Sequence, residues 1–217
     1  MTEEKLKEAA EQLRKPHGES ANLFAERMND GNSNLYHNTM QNLDIKDNDT
    51  VLEIGMSNGY FVKDLMNIAD GIKYHGCDYS KEMVTESNKL NETLVNSGNV
   101  NFHFANANQL PFSNNYFNLI FSVNTIYFWG DTKQTLHELR RVLKPGGLLV
   151  LALRPKSSMQ YYPFAKYGFK LYSKSELKKL LIENNYKVKS ITEKEEPTQM
   201  VEDMELKVES LIIVAYL

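Results

Sequence analysis

The chain lacks the residues that would place it in several large classes of protein. It holds one cysteine, Cys77, which excludes an internal disulfide framework and any multi-cysteine zinc or iron–sulfur site, and which suits a reducing compartment. No apolar run approaches the roughly 20 residues of a membrane span. The N-terminus opens with Thr2-Glu3-Glu4-Lys5 rather than a basic stretch leading into an apolar one, so neither export nor a membrane span is expected and the predicted location is cytoplasmic. Charge of one sign is also scarce. With 25 basic and 28 acidic residues the formal net charge is −3, too weak a field to gather phosphate backbones, and nucleic acid is not expected as a partner. No His, Asp and Glu cluster has metal-ligand spacing, so no metal is expected.

What is present is ordinary globular composition. Hydrophobic residues make up 41% and charged residues 24% of 217, enough for one α/β domain with a small appendage. Up to residue 47 the pattern is helical, with segments near Thr2 to Arg14, Glu19 to Met28 and Ser33 to Leu43 joined at Gly18 and Gly31. From residue 48 apolar strand-like runs alternate with amphipathic helical stretches. The predicted strands are Val51 to Ile54, Lys73 to Cys77, Asn101 to Phe104, Leu119 to Val123, Leu148 to Leu153, Tyr186 to Glu193 and Glu209 to Tyr216. The helices between them lie near Tyr60 to Ile68, Lys81 to Asn96, Thr132 to Leu143 and Lys174 to Asn184. Such alternation implies right-handed βαβ units and a doubly wound, Rossmann-like seven-stranded sheet. The last two strands have no helix between them, so one strand near the C-terminus should run antiparallel.

Val51-Leu52-Glu53-Ile54-Gly55-Met56-Ser57-Asn58-Gly59-Tyr60 takes an apolar strand through small residues into a helix, the arrangement by which an α/β sheet offers backbone N–H groups to a ligand. Counting from Gly55, the dinucleotide fingerprint wants glycine where Ser57 and Tyr60 stand, and Tyr60 blocks the close helix approach that a pyrophosphate site uses. Nicotinamide and flavin are disfavoured. Asp78 follows the second strand, where a carboxylate can accept hydrogen bonds from both ribose hydroxyls of an adenosine.

Read as acid-x-Gly-x-Gly-x-Gly, the run Glu53, Gly55, Ser57, Gly59 resembles the first motif of class I S-adenosylmethionine-dependent methyltransferases, in the methyltransferase type 11 group that includes ubiquinone and menaquinone methyltransferases. Ser57 replaces the middle glycine. The resemblance continues in order through Asp78-x-Ser80-x-x-Met83, Asn106-Ala107-x-x-Leu110-Pro111-Phe112 with Asn106 for the usual Asp, and Arg141-Val142-Leu143-Lys144-Pro145-Gly146-Gly147. It implies that S-adenosylmethionine is the cofactor, held by Glu53, Gly55, Met56, Ser57, Gly59, Asp78, Tyr79, Met83, Asn106, Ala107 and Asn124. It also implies an N-terminal helical lid over residues 1–47 and a cofactor-binding domain over residues 48–217. The sequence after the fourth strand, Asn124-Thr125-Ile126-Tyr127, lacks the Pro-Pro-aromatic arrangement suited to a base amino group. A small organic methyl acceptor is therefore expected, in a monomer or homodimer, with Tyr127, Trp129, Tyr161 and Tyr162 lining its site. His17, His37 and Tyr127 are the candidates for a catalytic role, the histidines because they titrate near neutrality. A non-catalytic module binding S-adenosylmethionine or S-adenosylhomocysteine remains the alternative.

Overall fold

The computed structural model describes residues 1–201 and 204–217. Two helices, α1 (Glu3–Arg14) and α2 (Ala21–Met40), precede β1 (Thr50–Ile54), α3 (Val62–Met66), β2 (Lys73–Asp78), α4 (Lys81–Leu90), α5 (Glu92–Asn96), β3 (Val100–Phe104) and β4 (Phe117–Val123). A 3-10 turn at Ile126–Phe128 leads to α6 (Thr132–Val142), β5 (Leu143–Leu153), the short α7 (Lys156–Met159), a second 3-10 turn at Pro163–Lys166, and α8 (Lys174–Glu183). The chain closes with β6 (Lys187–Glu195), β7 (Gln199–Val201), β8 (Met204–Leu206) and β9 (Glu209–Tyr216).

Seven strands form one sheet in the order β3-β2-β1-β4-β5-β9-β6. The β3, β2, β1, β4 and β5 pairings are parallel, and β9 runs antiparallel to both β5 and β6. The order reverses direction between β1 and β4, which opens a crevice at the carboxyl ends of these strands. Strand residues divide by parity, as the two-residue pleat requires. Leu52 and Ile120 face a core shared with Leu136 and Leu139 of α6 and Leu177 and Leu181 of α8. Val51, Leu119 and Phe121 face a second core with Leu35 and Tyr36 of α2 and Val62 and Leu65 of α3. The sheet is covered on both faces, as its near-continuous apolar strands demand.

Several predicted boundaries shift. The segments expected near Glu19 to Met28 and Ser33 to Leu43 are one helix, and Gly31 lies inside it. A mid-helix glycine costs about 1 kcal/mol relative to Ala. Here Ala25 is fully buried on one side of Gly31 and Leu35 on the other, and this tertiary burial outweighs the propensity. The helix predicted over Lys81 to Asn96 breaks at Asn91, whose side chain donates to Gly59 O at 3.0 Å. The helix near Tyr60 to Ile68 contracts to α3. β5 begins at Leu143, ahead of the predicted Leu148, because Leu143 pairs with Phe117 before a register shift through Pro145-Gly146-Gly147. The β7–β8 hairpin has too few residues per strand to show a period in the sequence. No helix among the described residues is long and apolar enough to cross a membrane.

Candidate active site

The carboxyl ends of β1, β2, β4 and β5 open into a cavity of about 560 Å³, within the range of about 300–1,000 Å³ usual for small-molecule sites. Its floor on one side is the loop after β1. Gly55 has φ +76°, and a Cβ there would fall 2.2 Å from Thr125 Cγ2, so the glycine is required by the protein itself as well as by any ligand. Ser57 has φ +53°, in the left-handed region where glycine is the easy occupant. Its N–H donates to Asp78 Oδ2 at 3.1 Å while Ser80 N–H donates to Oδ1 at 2.8 Å. One carboxylate therefore braces the β1 loop and the start of α4 while still lining the cavity. Burial pushes the Asp78 carboxyl up to about 6 against these donors.

Gly55, Met56, Ser57, Asp78, Tyr79, Asn106, Ala107 and Asn124 all line the cavity. Three predicted cofactor residues do not. Glu53 is buried beneath it at 2% exposure, accepting hydrogen bonds from the hydroxyls of Tyr36 and, at 2.6 Å, Tyr74. Its side chain alternates away from the loop because β1 is pleated, and burial lifts its carboxyl to about 7 despite the two donors. Gly59 sits against Asn91, Phe102 and Ser87. Met83 packs under the start of α2 with Ala21 and Ala25.

The other end of the cavity lies beyond β4. Tyr127, Phe128, Trp129, Tyr162 and Phe169 line it, with Phe128 and Phe169 ring centroids 4.6 Å apart. Tyr161, expected here, is instead half exposed. Its neighbour Tyr162 takes the cavity position and donates to Gln199 Oε1 of β7 at 2.6 Å. Asn124 is a junction at φ +55°. Its Oδ1 accepts from Arg154 N at 3.1 Å and lies 2.9 Å from Tyr127 Oη, whose one proton it shares with Arg154 O, and its Nδ2 donates to Asn32 Oδ1 at 2.8 Å.

Neither candidate histidine faces this space. His17 is exposed, with Nδ1 2.9 Å from Lys15 O, and His37 is exposed on α2, with Nδ1 2.7 Å from Ser33 O. Both lie on the solvent side of their segments. Tyr127 does line the cavity; its hydroxyl lies 2.6 Å from its acceptor Arg154 O, and burial raises its pKa. Cys77 also lines the wall, its thiol pushed up to about 12 by burial.

The roof comes from the N-terminal helices. Leu13, Pro16, Phe24, Arg27, Met28 and Tyr36 face the cavity. Ser80 Oγ donates to Pro16 O at 2.5 Å, and α1 packs on the 163–166 turn. Tyr36, Arg27, Arg154 and Phe169 escaped the sequence reading. Only Arg154 carried a signal there, as a charge placed directly after the apolar run of β5.

Residues 52–151 match the family model described as Methyltransferase domain. That match spans 100 of the 217 residues, a little under half of the chain. Relatives of this chain include the uncharacterized methyltransferase YdaC of Bacillus subtilis (strain 168), 26% identical over 127 residues, covering 58% of this chain and 68% of that protein. The O-methyltransferase resE of Aspergillus sclerotiorum is 29% identical over 102 residues, covering 47% of this chain and 38% of the relative. Among solved structures, a SAM-dependent methyltransferase from Aquifex aeolicus superposes with a TM-score of 0.69 at 18% identity, over 88% of this chain and 96% of that one, a likeness of fold. The match to a methyltransferase domain implies S-adenosylmethionine as the cofactor. The residues fit it: Asp78 offers a carboxylate to a ribose, Tyr79 and Met56 offer apolar walls, and Asn106 offers an amide oxygen and nitrogen to a purine edge.

Proposed function

We propose that this protein transfers a methyl group from S-adenosylmethionine to a small organic acceptor. The observation that carries this reading is the continuity of the cavity, which runs from the Gly55–Ser57 loop and Asp78 to the aromatic wall of Tyr127, Phe128, Tyr162 and Phe169. Cofactor and acceptor can meet there without crossing solvent. Adjacent parallel strands lie about 4.8 Å apart, so a cofactor over β1 and β2 leaves the ends of β4 and β5 to the acceptor. When bound, the sulfonium supplies a methyl group whose bond to sulfur breaks, its electron pair returning to sulfur, as the acceptor's lone pair attacks in line.

The chain's own contribution is alignment and exclusion of water. Asn124 fixes the turn between β4 and the aromatic wall through its hydrogen bonds. Tyr127 is held rigidly by Asn124 and Arg154. No histidine or glutamate side chain lines the cavity among the described residues, which favours an acceptor atom that is already nucleophilic or that gives its proton to water.

The roof of α1 and the first half of α2 acts as the lid. The second half of α2 belongs to the sheet, since Leu35 and Thr39 are fully buried and Asn38 Nδ2 donates to Ser210 Oγ of β9 at 2.9 Å. The test is incubation of the full chain with methyl-labelled S-adenosylmethionine and a metabolite extract. Label entering a small organic product is expected. Cofactor binding with no labelled product would instead support a binding module, and label entering nucleic acid or protein would overturn the small-molecule acceptor.

A further inference from the structure

Arg154 follows Leu153, the last residue of β5, and lines the acceptor end of the cavity while only 6% exposed. Its Nη2 donates to Glu196 Oε2 at 2.7 Å and to Gly31 O at 2.6 Å. Glu196 is itself secured, because its Oε1 accepts from Ser210 Oγ at 2.8 Å and Ser210 Oγ accepts from Asn38. The guanidinium is thus clamped from α2, from the end of β6 and from β9. Yet Arg154 Nε is buried and finds no hydrogen-bond partner among the described residues. A buried donor left unpaired on a charged group is costly unless a ligand completes it.

The other charged side chains on the cavity wall are Arg14 and Arg27 from the lid and Asp78 at the loop end. The wall therefore carries three arginines, of which Arg154 is ion-paired with Glu196 behind it, and one carboxylate, which lies on the far side of β4 from Arg154. The rings of Tyr127, Phe128, Phe169 and Tyr162 line the same cavity as Arg154.

We propose that the methyl acceptor is an apolar or aryl carboxylic acid, ionised when it binds, whose carboxylate is received by the free N–H groups of Arg154 while its body packs on the aromatic wall. Resting on the methyltransferase reading, this names the acceptor class of the same site. A planar guanidinium suits a carboxylate better than a point charge does, and the ion pair with Glu196 makes Arg154 a fixed fork rather than a mobile side chain. An anion beside the sulfonium also gains attraction that a neutral acceptor lacks.

The experiment titrates the full chain, saturated with S-adenosylhomocysteine, with cinnamate and 1-naphthoate and with their primary amides. The acids should bind at least about tenfold more tightly than the amides. The double substitution R154M/E196Q, which removes both charges together, should abolish the preference and leave S-adenosylhomocysteine affinity within about twofold. R154K, which keeps charge but not the fork, should retain part of it. Equal affinity for acids and amides in the unsubstituted protein overturns the proposal, as does binding of neither. So does a tenfold loss of S-adenosylhomocysteine affinity in R154K with the acid preference intact, which would assign Arg154 to the cofactor. If the double variant does not fold, the unsubstituted protein and R154K decide. Failure of the unsubstituted chain to bind S-adenosylhomocysteine counts against the methyltransferase reading instead.

Discussion

Ser57 holds a left-handed backbone conformation, φ +53°, which costs a non-glycine residue roughly 1–2 kcal/mol. Its hydroxyl lies 3.5 Å from Met83 Sδ, a weak contact, so Ser57→Gly loses little there and relieves the backbone cost, less glycine's extra unfolded-state entropy, and should raise the urea midpoint slightly with cofactor affinity nearly unchanged. Ser57→Val, β-branched at the same φ, should lower stability by about 2 kcal/mol; equal stability of the two variants would show that the loop relaxes. Asp78 has a double task, and Asp78→Ala should weaken S-adenosylhomocysteine binding by at least about tenfold, read by calorimetry. Because burial lifts Asp78 to about 6, its proton returns as pH falls below 6, and cofactor affinity should decline between pH 7 and 5. Glu53 titrates on the stability side. Its carboxyl is raised from 4.5 to about 7, so the folded state holds a proton that the unfolded chain has released. Stability from this group is full below pH 4.5 and is lost as pH rises through 7, at most about 3 kcal/mol. Glu53→Gln should flatten that slope relative to the unsubstituted protein when urea midpoints are compared at pH 5 and 8, and identical slopes would place the Glu53 titration elsewhere.

Elements differ in how plainly the sequence announces them. The sheet was legible because β1, β4 and β5 are continuous apolar runs separated by capped helices, such as α8 with its Ser173–Glu176 capping box. The direction of β9 followed from the missing helix after β6. The continuity of α2 through Gly31 was not legible, since only burial of Ala25 and Leu35 on one face overrides a glycine. The motif residues also had mixed meanings. Asp78 and Gly55, expected at the cofactor, lie on the cavity wall, whereas Arg141 of the closing motif is structural, donating to Glu138 Oε1 at 2.7 Å and Phe112 O at 2.8 Å. Tyr36, Arg154 and Phe169 come from segments far apart in the chain, and only the folded sheet edge gathers them. These helices also make a sharp prediction about truncation. Removing residues 1–20 should leave a folded chain that still binds cofactor, less tightly, because α1 contributes mainly roof. Beginning at Lys46 strips Leu35, Tyr36 and Leu43 from the core and should abolish cooperative melting. A cooperative transition in the shorter chain would mean that all of α2 is lid.

At the scale of the whole molecule, the carboxyl ends of the strands open on one cavity with two halves because the strand order turns between β1 and β4. The loop after β1 and Asp78 face one half of the cavity, and the aromatic wall with Arg154 faces the other. The 26% and 29% identical relatives overlap 58% and 47% of this chain. The most direct measurement is calorimetric titration of the full chain with S-adenosylhomocysteine and, separately, NAD. One equivalent of S-adenosylhomocysteine should bind with micromolar or tighter affinity and NAD should give no heat, whereas binding of NAD alone would contradict methyl transfer as the proposed function.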